Sequence, residues 1–314
     1  MKKALFTYDY GKEKMNLIKE LGYDVIIKEE KGLVYSEELK DVEVLVCYDP
    51  FSTLDITKME KLKWIQLSSI GIDQAPIDYI KEKGIILTNN KGGYSIPIGE
   101  WIVMNILQLA KNSIKFFEKQ KNKMWKIDTS IIEIYGKTIG FIGTGTLAIE
   151  ATKRLKGFGV NILGLNSNGR NVEGFNKCYS KDEMDDMLRL CDFVVVTIPY
   201  TKETHHLINK ERFDAMKDGV YFINVARGSV VDEVELIKNL KSGKIKGAAL
   251  DVFEEEPLKE DNPLWNMENV YITPHNSWVS EMRNERRFKL IYENMKKYVE
   301  GEKLLNIVDL QKGY

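Results

Sequence analysis

Residues 139–159, "IGFIGTGTLAIEATKRLKGFG", read as strand, turn and helix in succession. Ile139, Phe141 and Ile142 make an apolar run that stops at Gly143, after which Leu147, Ala151, Leu155 and Phe158 recur at helical spacing. Gly143 permits the tight turn, Gly145 lets a phosphate approach the backbone, and Ala148 takes the place of a third glycine at the helix–strand contact. The amides of Thr146 and Leu147 open the helix and would face the phosphates. A glycine turn by itself joins strands to helices without any ligand. Here a second apolar run, "NILGL" at 161–165, follows the helix, and that order points to a bound dinucleotide.

Working outward, "KTIGFIG", "NILGL", "FVVVTI", "VYFINV", "GAAL" and "VYITP" are six apolar runs with helical or loop segments between most of them, the repeat of a doubly wound sheet. Before them, from residue 1 to about 98, "KALFTY", "DVIIKE", "EVLVCY", "KWIQLSS" and "GIILTN" alternate with polar, helix-compatible stretches and read as a smaller parallel α/β unit. Between the two lies "IPIGEWIVMNILQLAKNSIKFFEKQKNKMW", where Trp101, Ile102, Asn105, Ile106, Leu109 and Ser113 recur at three and four and predict one long helix after Pro97. Phe288, Ile291, Met295 and Tyr298 predict an amphipathic helix within 278–301, after which "LLNIVDLQKGY" is left to pack back, on the first unit.

A chain of 314 residues suits two domains. Its 46 basic and 47 acidic residues nearly cancel, so no electrostatic footprint for nucleic acid or an anionic membrane is expected, and a small-molecule ligand is. Cys47, Cys178 and Cys191 have neither CxxC spacing nor clustered histidines, so free thiols and no metal site are expected. With no secretory or membrane-spanning stretch in view, the expected location is cytoplasmic.

Ligands of an open α/β sheet bind outside the carboxyl ends of its strands. Those ends carry Thr197, Pro199 and Tyr200, then Asn224, Ala226 and Arg227, then Asp251 and Glu256, then Pro274 and His275. Reducing a 2-keto acid needs a planar cation for the carboxylate and carbonyl, a proton donor that changes charge near neutral pH, and a carboxylate to orient that donor. Arg227, His275 and Glu256 fit the three roles. His205 and His206, in "TKETHHLIN", lack this placement and read as structural or surface residues.

At "INVARG", "LDVFEEEP" and "ITPH" the sequence resembles the D-isomer-specific 2-hydroxyacid dehydrogenases, which include hydroxypyruvate, glyoxylate, phosphoglycerate and D-lactate enzymes. "QLSSIGID", "GEWIVMNIL" and "GKTIGFIGTGTLA" are similar to the family's substrate loop, linking helix and cofactor turn, so the likeness spans nearly the whole chain. The resemblance implies an α/β fold of two domains, a Rossmann-type doubly wound cofactor domain (99–282) inserted in a smaller flavodoxin-like α/β substrate domain (1–98 and 283–314), and a homodimer. It implies Arg227, Glu256 and His275 as the catalytic set. Substrate would meet backbone amides near Ile70 and Gly71, with Tyr94 nearby, and cofactor would meet Pro199, Thr204, Ala226 and Asp251 as well as the glycine turn. Trp101, after Glu100, stands where many relatives carry His, and it and Tyr94 are the departures that bear on substrate choice.

Asn166 occupies the position where NAD-specific relatives carry an acidic residue for the ribose 2′-hydroxyl. With Ser167, Asn168 and Arg170 after it, the loop favours a 2′-phosphate, hence NADP over NAD. The expected activity is reduction of a small 2-keto acid to the D-2-hydroxy acid. A dinucleotide-sensing binding protein on the same scaffold is the alternative of another class. Phosphoglycerate dehydrogenation ranks lower, since the chain stops soon after its C-terminal helix.

Overall fold

The computed structural model describes residues 1–313, and its contacts divide the chain into two units, residues 1–94 with 280 onward, and Ser95–Val279. The divisions fall four residues before and three before those expected, because a helix already begins at Ser95 and the return crossing is complete at Ser280.

The first unit runs β1 (Lys2–Phe6), α1 (Lys12–Glu20), β2 (Tyr23–Ile27), β3 (Val44–Cys47), β4 (Trp64–Leu67), α2 (Ile77–Lys83) and β5 (Ile86–Thr88), all strands parallel in the order β2-β1-β3-β4-β5. That is the flavodoxin order. Period-2 alternation sends Ala4, Phe6, Val44, Val46 and Trp64 to one face and Leu5, Leu45, Cys47, Ile65 and Leu67 to the other, and both faces are buried.

The second unit holds α3 (Ser95–Lys111), α4 (Ser113–Lys121), β6 (Thr138–Ile142), α5 (Thr146–Leu155), β7 (Asn161–Leu165), β8 (Lys177–Tyr179), α6 (Met184–Leu188), β9 (Phe193–Val196), α7 (Lys210–Ala215), β10 (Val220–Asn224), α8 (Glu233–Ser242), β11 (Ile245–Leu250) and β12 (Val270–Ile272). Its seven parallel strands are ordered β12-β11-β10-β9-β6-β7-β8, a doubly wound sheet whose order reverses between β6 and β9. The register puts Ile142, Val196, Asn224, Leu250 and Ile272 in one row, so the residues that follow them emerge along a single rim. At Gly99, where α3 crosses α5, a Cβ would meet backbone and side-chain atoms of Glu150 and Ala151 at 2.9–3.0 Å, so only glycine allows this approach.

Two expectations need correction. The predicted long helix breaks at Asn112, whose left-handed backbone (φ +51°) ends α3 and starts α4; asparagine tolerates that conformation, and the apolar pattern continues across it. β8 escaped notice because "KCY" is three residues long and follows a polar loop. All three cysteines are buried and unbridged, and burial pushes the Cys191 thiol up to about 12.

The chain re-enters the first unit with α9 (Arg283–Glu300), which lays Phe288, Ile291 and Met295 on the face bearing Phe6 and Trp64. Fully buried Asn294 donates to Gln66 Oε1 at 2.8 Å and accepts from the Leu305 amide at 2.7 Å, while Ile307 bridges antiparallel to Thr88. Among the described residues no helix is long and apolar enough to cross a membrane.

Candidate active site

The turn after β6 is built as a phosphate cradle. Gly143 has φ +106°, and a Cβ there would strike Thr197 Oγ1 and Ile198 Cγ2 at 2.9 Å, so glycine is required on both counts. Gly145 is the N-cap of α5, has open space within 4 Å of where a Cβ would stand, and leaves the helix start with no side-chain cap and no acidic first turn. Uncapped N–H groups at Thr146 and Leu147, at the positive end of the helix dipole, fit a pyrophosphate.

Beyond β7, Asn166 closes the following loop on itself. Its Nδ2 donates to the Arg170 carbonyl (2.9 Å) and Thr144 Oγ1 (3.3 Å), and its Oδ1 accepts from the Arg170 amide at 3.1 Å. Gly169 supplies the left-handed residue such a turn needs (φ +70°). Asn166 therefore shapes the loop, and Ser167, Asn168 and Arg170 are the exposed side chains it presents. After β9, Thr204 Oγ1 accepts from the Thr201 amide (2.7 Å) and donates to the Pro199 carbonyl (2.9 Å), closing the 199–204 turn.

Arg227 stands just past β10. Asn224, almost fully buried, pins the turn that carries it, accepting from the Ala226 amide at 3.0 Å and donating to the Arg227 carbonyl at 3.1 Å. Gly228 lies against the turn after β11 so closely that a Cβ would come within 1.8 Å of Phe253 C and 1.9 Å of its carbonyl oxygen. The Arg227 turn and the Phe253–Glu256 turn are thus docked backbone to backbone.

His275 follows β12 with φ +50°, a conformation disfavoured for a residue with a Cβ. Buried Asp251 enforces it: its carboxylate accepts from Thr273 Oγ1 (2.5 Å) and from the amides of Asn276 (2.8 Å) and Ser277 (3.0 Å), and its carbonyl accepts from the His275 amide at 2.8 Å. With its carboxylate so committed, Asp251 organises the His275 turn. Glu256 Oε2 contacts His275 Nδ1 at 2.8 Å, and Oε1 accepts from the Phe253 amide at 3.0 Å. Burial pulls the Glu256 carboxyl upward, but the hydrogen bonds from His275 and Phe253 and the charges of His275 and Arg227 outweigh it and hold the pKa below the ordinary glutamate value. An ionised carboxylate on Nδ1 fixes the tautomer and leaves Nε2 for proton exchange, on a ring that is 40% exposed.

In the first unit, the Ile70 and Gly71 carbonyls are engaged by Asn89 Nδ2 (2.8 Å) and Ser69 Oγ (2.7 Å), while their amides donate to no protein acceptor among the described residues. Tyr94 is buried and donates its hydroxyl to the Ser68 carbonyl at 2.6 Å, so it supports this loop.

A family model described as "D-isomer specific 2-hydroxyacid dehydrogenase, NAD binding domain" matches residues 103–277. The D-3-phosphoglycerate dehydrogenase of Methanocaldococcus jannaschii is 34% identical over 99% of this chain, which spans only 60% of that relative's length. The glyoxylate reductase of Thermofilum pendens is 33% identical over 92% of this chain and 88% of its own. Among solved structures, a D-isomer specific 2-hydroxyacid dehydrogenase from Xanthobacter autotrophicus Py2, in complex with NADPH and MES, superposes with a TM-score of 0.87 at 28% identity, covering 100% of this chain and 99% of the other.

Proposed function

Because the chain belongs to the D-isomer-specific 2-hydroxyacid dehydrogenases, we propose that it reduces a small 2-keto acid to the D-2-hydroxy acid with a nicotinamide dinucleotide. When bound, the reduced dinucleotide would supply the hydride for the keto carbon. His275 Nε2 gives its proton to the keto oxygen, Arg227 binds the substrate's carboxylate and carbonyl, and Glu256 holds the imidazole in place through Nδ1. The observation that carries this reading is the 2.8 Å Glu256–His275 contact, which sits in a turn docked onto that of Arg227. The glycine turn, Thr146, Leu147, Pro199, Thr204 and Ala226 are the proposed dinucleotide contacts, and a cytoplasmic enzyme is the setting proposed.

NADP is the proposed cofactor. The Asn166 loop carries no acidic side chain at 166–170, and the similar Xanthobacter protein was solved with NADPH. Initial rates with glyoxylate, hydroxypyruvate, pyruvate and 3-phosphohydroxypyruvate, each with NADPH and NADH, test both parts. NADPH is expected to give the higher kcat/KM. Asn166→Asp, which removes both Nδ2 bonds and sets a carboxylate against the 2′-phosphate, should lower the NADPH rate about tenfold or more with little loss on NADH. An unchanged cofactor ratio would refute the role given to this loop, and no turnover on any keto acid would favour a dinucleotide-sensing protein. A second reading, phosphoglycerate dehydrogenation, is supported by the 34% identical relative and predicts 3-phosphohydroxypyruvate as the best substrate.

We also propose a homodimer. Phe117, Met124, Trp125, Ile127 and Tyr135, on α4 and the segment after it, are 67%, 52%, 103%, 84% and 76% exposed, a concentration of bare apolar surface that a second copy would cover. Light scattering on a sizing column should give twice 36.2 kDa, and Trp125→Asp with Ile127→Asp should give 36.2 kDa. A monomeric parent protein would refute the assembly.

A further inference from the structure

His205 and His206 are not idle surface residues. His206 Nε2 lies 2.7 Å from Glu254 Oε1, 48 residues on in the turn that carries Glu256, and its ring stacks on that of His205 with centroids 4.0 Å apart. His205 in turn meets the edge of Tyr200 at 6.0 Å. The His206 backbone is left-handed (φ +47°) and its amide donates to the Ser229 carbonyl at 2.8 Å. A residue with a Cβ keeps such a conformation only where its surroundings hold it there, and an outlier of this kind is a reason to look for a role. A contact between side chains 34% and 39% exposed adds little to stability.

The Phe253–Glu256 turn is gripped at three points. Gly228 presses on its backbone, Glu233 Oε2 accepts from the Glu254 amide at 3.2 Å, and His206 takes the Glu254 side chain. Glu256, two residues further, then meets His275. We propose that His206 is a positioning residue for the Glu256–His275 pair, acting through Glu254 and linking the 199–204 turn to the proton donor. His205 is the platform that keeps the His206 ring in place. The inference rests on the proposed role of His275.

Five variants test it: His206→Ala, His206→Gln, Glu254→Ala, the double variant His206→Ala with Glu254→Ala, and His275→Ala, followed by keto-acid turnover, dinucleotide affinity, thermal stability and hydrogen exchange of peptides covering 251–258. His206→Ala should lower kcat on the order of tenfold with KM and dinucleotide affinity within threefold, and speed exchange in the turn. Glu254→Ala should match it, the double variant should be no worse than the worse single, and His206→Gln, which keeps a donor to Glu254, should recover most of the loss. A wild-type kcat in His206→Ala overturns the inference, as does a loss that follows the melting temperature and is not recovered by glutamine. Wild-type turnover in His275→Ala overturns the functional reading, and this one with it.

Discussion

His275→Ala is expected to bind the dinucleotide as the parent does and to reduce keto acids about 100- to 10,000-fold more slowly, the usual worth of a positioned general acid. The ring lies beyond the glycine turn and the Asn166 loop in sequence, and its removal opens no core cavity, since the side chain is 40% exposed. Thermal stability should therefore barely move. Single-turnover kinetics with NADPH, alongside fluorescence titration of the dinucleotide, separates the two effects, and near-parental turnover would remove His275 from the chemistry. The pH dependence has a definite sign. Glu256 is held below the ordinary glutamate value, so it stays charged to lower pH than an ordinary glutamate does. Its stabilising contribution is fully present above the unfolded value and is lost as pH falls through the folded one, so acid unfolding followed by circular dichroism should lose this contribution only below the range where ordinary glutamates titrate.

Gly228→Ala should be more damaging than its size suggests. The added carbon would sit 1.8 Å from backbone atoms of Phe253, and backbone cannot swing aside as a side-chain tip can. Either the Arg227 turn or the Phe253–Glu256 turn must move, and both carry a member of the proposed catalytic set. Overpacking of this kind costs about 1–3 kcal/mol or more, which in a unit of this size lowers the melting temperature by roughly 2–12 °C. A shift on the order of 1 Å between Arg227 and His275 costs about 100-fold in kcat. Gly145→Ala is the contrast. Nothing lies within 4 Å of its added carbon, so the fold should tolerate it while dinucleotide affinity falls. If Gly228→Ala kept parental turnover and stability, the docking of the two turns would have no functional weight.

The strands and the glycine turn were legible because buried parallel strands are continuous apolar runs, and a tight strand-to-helix turn near a ligand has few residue choices. Arg227 and His275 stood out as candidates for a related reason: each follows closely on such a run, whereas Glu256 lies further on, in the turn after β11. What escaped the sequence is what depends on partners far along the chain. Nothing in "THHLIN" announces Glu254, and nothing around Asp251 says that its carboxylate is filled by the 273–277 turn rather than turned outward. Tyr94 shows the same limit, its hydroxyl being bound to Ser68, 26 residues earlier. A residue type and its place at a strand end reveal a candidate, and only the fold reveals whether its polar atoms are already taken.

The return of the chain to its first sheet sets an order of events in synthesis. Phe288, Ile291 and Met295 cover one face of that sheet, and Asn294 and Ile307 tie down Gln66 and Thr88. These partners leave the ribosome about 200 residues after β5, whereas Ser95–Val279 contains every strand of its own sheet. The later-made unit is therefore the first to have all its parts, and the N-terminal sheet waits with one apolar face covered only in part, by Met15 and Ile18 of α1.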